Sequence, residues 1–147
     1  MDKQTKLGTE EILKEIENGN TVNTNNIDFI KRDEQLIQLS RKIMEEYGSY
    51  SKFATASDVS PSHLNEFLNG KKQLGRDKLI CICIALKYTI KEARQALRCL
   101  GNTDLYSKNR RDFEILNCIQ QGKSLDETNE ILQKKKFETL SEKRNQP

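Results

Sequence analysis

The sequence predicts an all-α protein. Apolar residues recur at spacings of three and four, and no β-branched or aromatic run alternates with period two. There are only two prolines in 147 residues, and Ser or Thr followed by a helical stripe and then Gly punctuates the chain. With 35% hydrophobic and 32% charged residues, the composition suits helices with solvated outer faces. The length points to one domain with appendages.

Residues 1–32 read as an N-terminal helical arm and linker. Thr9 caps a helix over Thr9–Asn18, Glu10 and Glu11 favour its dipole, and Ile12, Leu13 and Ile16 form its apolar face. Gly19 stops it, and the Asn- and Thr-rich residues 19–28 form the linker. This arm is expected to pack on the domain, reach a second subunit or stay loose.

Asp33 begins the next helix, which runs to Tyr47. Leu36, Ile37, Leu39, Ile43 and Met44 are its expected core stripe, and Gly48 ends it. Two short helices follow. Ser49 caps the first, with Phe53 and Ala54 inward, and Asp58 sits in the turn. Ser60 caps the second, and Pro61 takes the first helical position, where a missing N–H costs nothing. Leu64, Phe67 and Leu68 form one buried stripe, and Gly70 closes the helix in a left-handed conformation. Two helices of this length with this turn suggest a DNA-binding helix-turn-helix.

Lys71, Lys72 and Gln73 make a polar loop. A helix from Arg76 carries the most apolar stretch, Leu79 to Leu86, with Leu79, Ile82, Cys83 and Leu86 inward, and belongs at the centre of the core. Thr89 caps a fifth helix with Ile90, Ala93, Leu97 and Leu100 inward and Gly101 at its end.

Residues 33–101 resemble the lambda-repressor-like helix-turn-helix family, the Cro and xenobiotic-response-element type. The family's key places are held by Ala54, Val59, Ser60, Leu64, Gly70, Lys71, Lys72, Leu79, Ile82, Cys83 and Leu86, with Thr89 and Glu92 starting the last helix. Four positions depart from the pattern: Tyr50 stands for a common Gln, Asp58 for the turn Gly, Leu68 for a Glu and Leu74 for a Pro. The resemblance implies a transcriptional regulator that binds duplex DNA as a homodimer. By position, Pro61, Ser62 and Glu66 would face the major groove, flanked by His63, Asn65 and Asn69. Ser49, Tyr50, Ser60, Lys71 and Lys72 would grip the backbone. Asn65 suits adenine and Glu66 suits cytosine N4. The second of the two helices carries no Lys or Arg, although Arg or Lys on guanine is the commonest specific contact. That gap keeps a second reading open: a protein-interaction module on the same scaffold, antitoxin-like or phage-inhibitor-like, with weak or no DNA binding.

After Gly101 the sequence echoes itself. Residues 76–106 align with 111–141 at a shift of 35, with identities at Arg76/Arg111, Asp77/Asp112, Ile80/Ile115, Cys83/Cys118, Ile84/Ile119, Glu92/Glu127, Leu97/Leu132 and Leu105/Leu140. The reading is a C-terminal helical hairpin over 102–140, with helices near 109–121 and 125–136. Chance likeness between two hairpins is the alternative. Phe113, Leu116 and Ile119 are expected in its core, or else in a dimer interface, and the tail beyond Leu140 is expected to fray.

Net charge is +3, spread as −3 over residues 1–40, +3 over 41–87 and +3 over 88–147. A basic middle and end is compatible with nucleic acid. The four cysteines, Cys81, Cys83, Cys99 and Cys118, fall on helix insides at spacings wrong for zinc, and read as small buried hydrophobes rather than disulfide or metal ligands. There is no cofactor motif or Gly-rich phosphate loop, and an enzyme is not expected. A polar N-terminus and the lack of a spanning apolar run point to a cytoplasmic protein. The Asn-, Lys- and Ile-rich composition suggests an AT-rich genome, such as that of a low-GC bacterium, its phage or a plasmid.

Overall fold

The computed structural model describes residues 29–143. The expected arm helix over Thr9–Asn18 lies outside them. Seven helices and no strand occur among the described residues: α1 (Phe29–Tyr47), α2 (Tyr50–Ser57), α3 (Pro61–Leu68), α4 (Arg76–Ala85), α5 (Ile90–Gly101), α6 (Arg110–Gln120) and α7 (Leu125–Lys134). None of them is long and apolar enough to cross a membrane.

Helix α4 explains the architecture. All eight residues from Leu79 to Leu86 are buried. A helix that is apolar all round needs cover on every side. Helix α5 packs along it, α2 crosses it and α7 approaches from the far side. Helix α1 lies over α2, α3 and α5. Where α4 and α5 meet, Gly101 leaves room for Leu79, since a Cβ there would come within 2.6 Å of Leu79 Cδ1. The left-handed residue ending α5 is Asn102 (φ 51°), one position beyond the expected Gly101.

Three expectations about α1 change. It begins at Phe29, a turn before Asp33, and Arg32 Nη1 anchors that turn by donating to Leu100 O at 2.8 Å. Leu36, Leu39 and Ile43 are buried, but Ile37 and Met44 are 56% and 48% exposed. At about 100° per residue, 37 and 44 sit about 80° or more away from the 36/39/43 stripe, and both are exposed. At the end of α1, Tyr47 stacks edge-on against Phe53 at 5.1 Å and donates to Ala85 O at 2.6 Å. Burial, and then Glu46, raises its hydroxyl pKa.

The second hairpin, α6 and α7, repeats the first in detail. Thr89 and Ser124 each build a capping box with Glu92 and Glu127. Lys87 (φ 58°) and Gly122 (φ 67°), equivalent under the shift of 35, both take the left-handed position after the first helix of their hairpin. Tyr88 N then donates back to Cys83 O at 3.1 Å, and Lys123 N to Cys118 O at 3.0 Å. Each second helix also holds down the segment that follows it. Arg94 binds Asp104 at 2.9 and 3.0 Å, and Asp104 accepts from Leu105 N at 2.7 Å. The equivalent Asn129 accepts from Leu140 N at 2.8 Å and donates to Lys143 O at 2.6 Å. Leu105 and Leu140 are buried in consequence. The tail is therefore tied down as far as Lys143, and does not fray from Leu140.

Within the hairpin, Ile115, Cys118 and Ile119 are buried, Leu116 is half-buried and Phe113 is 50% exposed, against the expectation of a core Phe. Phe113 is the equivalent of the exposed Lys78, so its helix position faces outward in both hairpins.

Candidate nucleic-acid interface

Helices α2 and α3 are set by local chemistry. Ser49 Oγ accepts from Lys52 N, and Ser60 Oγ accepts from His63 N, each at 3.2 Å. Between them, Asp58 takes the left-handed conformation (φ 57°), and its N–H reaches Ala54 O at 2.8 Å. A non-glycine residue accepts that geometry at some cost, least for Asp and Asn. Val59 drops into the core, and buried Ser57 Oγ accepts from Val59 N at 3.4 Å. Phe53, Leu64 and Phe67 are fully buried, while Ala54 and Leu68 are half-buried. Gly70 (φ 77°) closes α3, with its own N–H on Phe67 O at 3.0 Å and Lys71 N on Glu66 O at 2.9 Å.

With Leu64 and Phe67 held inward, the opposite face of α3 points out. Ser60, Pro61, Ser62, Asn65, Asn69, Lys71 and Lys72 are exposed, and His63 and Glu66 are half-buried. Several of these side chains already have partners. Asn69 Nδ2 donates to Asn65 Oδ1 at 3.3 Å, and Lys72 Nζ lies 3.6 Å from Glu66 Oε1. Lys78 Nζ lies 3.3 Å from His63 Nδ1. Ser49 is half-buried, its hydroxyl engaged as a cap. Tyr50 belongs elsewhere: it packs on the core, and its hydroxyl shares a 2.8 Å hydrogen bond with Ser40 on α1.

Lys78 is the residue missed from sequence. It stands in the first turn of α4, outside the pair of helices and their loop, yet touches α3. A signal was present in the repeated Arg-Asp at 76–77 and 111–112, which marks where two helix starts come together. Arg76 Nη2 donates to Asp112 Oδ2 at 2.5 Å, and Arg111 Nη2 to Asp77 Oδ2 at 3.0 Å. Each guanidinium also takes a carbonyl of its own hairpin, Asp104 O at 2.7 Å and Thr139 O at 3.3 Å, which are equivalent positions. The starts of α4 and α6 thus grip each other reciprocally, and Lys78 links the first of them to α3.

No family model, curated protein or solved structure matches this chain.

The cysteines have no ligand geometry. Cys81, Cys83 and Cys118 are buried and Cys99 is half-buried. Burial pushes the thiols of Cys81 and Cys83 up to about 12, so they stay protonated at neutral pH. Among the described residues, no three His, Cys, Asp or Glu side chains group to hold a metal ion.

Proposed function

We propose that this chain is a sequence-specific DNA-binding transcriptional regulator with a lambda-repressor-like helix-turn-helix at α2 and α3, acting on duplex DNA as a homodimer. The observation that carries the reading is the division of α3. Leu64 and Phe67 anchor it, and an unbroken polar face of Ser62, Asn65 and Asn69 is turned outward, with lysines at the adjoining loop. That is the division a helix needs to lie in a major groove. Ser and Asn side chains there can donate to and accept from base edges, and Lys71 and Lys72 can meet phosphates.

The experiment is selection of bound sequences from a random duplex pool. A palindromic winner, whose preference shifts with Ser62→Ala and Asn65→Ala while the fold is kept, supports the reading. If no duplex binds in a salt-sensitive way, the reading fails.

A second reading is a protein-interaction module on the same scaffold. The observation favouring it is that α3 has no Lys or Arg, and that Asn65 with Asn69 and Glu66 with Lys72 satisfy one another. Selection without a winner would leave it as the better account.

A further inference from the structure

A groove-reading helix without Lys or Arg must draw its phosphate contacts from neighbouring elements. The reciprocal Arg–Asp grip places one such element. It brings the start of α6, with Lys108 and Arg110, alongside the start of α4, with Lys78 next to His63 of α3.

Four acids on these elements are already engaged, whereas the exposed Glu138 beside Arg111 is in no ion pair among the described residues. Asp77 is taken by Arg111 at 3.0 Å, Asp112 by Arg76 at 2.5 Å, Glu66 lies 3.6 Å from Lys72, and Glu114 is held by Lys135 at 3.0 Å. Lys71, Lys108 and Arg110 are exposed and have no ion-pair partner among the described residues. Lys78 is exposed and meets only an imidazole nitrogen. Uncompensated cations on one end of a molecule are an electrostatic footprint for a polyanion.

Their placement is also fixed. Asn109 N donates to Tyr106 O at 3.0 Å, Asn109 Oδ1 accepts from Asp112 N at 3.0 Å, and Asp112 Oδ2 accepts from Tyr106 N at 2.9 Å. The 106–109 loop is therefore built before any ligand arrives, and little ordering remains to oppose binding.

We propose that Lys108 and Arg110 form, with Lys78, a second backbone contact to duplex DNA, on the stretch flanking the one that α3 faces. The second hairpin would then lengthen the DNA footprint beyond the helix-turn-helix. This inference rests on the regulator reading above.

The test uses the full chain, a duplex of about two helical turns that just holds both half-sites and one of about four turns, both built on the winner of the random-pool selection. The variant is Lys108→Gln with Arg110→Gln. Two lost phosphate contacts in each subunit, four in the homodimer, lower the slope of log K against log salt by about 3.6 on the long duplex. The affinity lost between 50 and 200 mM salt then shrinks by about a hundredfold relative to wild type, with sequence preference unchanged. On the short duplex the variant and wild type behave alike. Lys108→Glu with Arg110→Glu weakens long-duplex binding further, and thermal unfolding confirms that each variant keeps its fold. Wild type binding with a slope that neither variant changes overturns this inference and leaves the regulator reading standing. The same result with binding of an acidic protein lost instead would assign the cations to a protein partner, and overturns it too. No salt-sensitive binding by wild type overturns both.

Discussion

The two hairpins share a blueprint and differ in what surrounds them. Ile80, Cys83 and Ile84 in α4, and their equivalents Ile115, Cys118 and Ile119 in α6, are buried alike. On the other side of the helix they part. Leu79, Ile82, Ala85 and Leu86 are buried, whereas the second hairpin has Glu114, Asn117, Gln120 and Gln121 in those places, half-buried or exposed. The shared stripe is what a hairpin needs to close and to meet its twin. The differing side records that α4 has a second layer to support and α6 faces solvent. A repeat can thus keep its joints and change its outer surface independently.

The reciprocal grip is symmetric in geometry and not in energy, which makes it the first place to press. Asp112 has a side chain only 4% exposed, while Asp77 is 40% exposed. Arg76→Met strands a buried carboxylate and should cost about 3–5 kcal/mol in denaturant unfolding. Arg111→Met leaves Asp77 to water and should cost about 1 kcal/mol or less. Equal losses would refute the asymmetry.

Asn129 and Arg94 do the same work in the two hairpins. Asn129 is buried and Arg94 is not. Asn129→Ala strands buried partners at Leu140 and Lys143, and should cost about 2–3 kcal/mol, with faster hydrogen exchange at Leu140 N. The turn equivalents Lys87 and Gly122 should respond unequally. A Cβ at Gly122 would meet nothing within 4 Å, so Gly122→Ala carries only the backbone cost of a positive φ, about 1 kcal/mol. Lys87→Gly relieves that cost but gives up the 2.9 Å bond from Lys87 Nζ to Gly122 O, and should come out within about 0.5 kcal/mol of wild type.

The smallest effect concerns pH. The hydrogen bonds from Arg94 hold the Asp104 carboxyl below its ordinary range, helped by Leu105 N. A depressed carboxylate contributes stability above its unfolded pKa and loses it as pH falls through the folded one. Unfolding midpoints should therefore decline on the acid side of the usual Asp range. Asp104→Asn should flatten part of that decline, while no Asn129 variant does.

Much of the fold was legible because caps act locally. Ser49, Ser60, Thr89 and Ser124 each begin a helix where the sequence places one, and each caps it through its own hydroxyl. The central burial of Leu79 to Leu86 followed from hydropathy alone. Local signals say less about which side of a helix a distant element will cover. Ile37, Met44 and Phe113 are apolar residues on faces left bare, and nothing within a few positions of them says so. Among the candidate site residues, the outward set on α3 follows from the inward pair Leu64 and Phe67. Tyr50 and Lys78 do not, because their partners Ser40 and His63 lie 10 and 15 residues away.

The all-round burial of α4 has a bearing on the order in which the protein can be made. A chain emerging from the ribosome exposes α4 once its first hairpin is out, but α7, which covers its far side, and the Leu140 carbonyl that lies 3.9 Å from Cys81 Sγ come later. At about 5–20 residues per second, that side of α4 stays wet for a few seconds during every round of translation. The nascent run of α1 to α5 is therefore an unfinished product with an oily back. A stop codon near Gly101 would leave it so permanently, a target for chaperones and proteases.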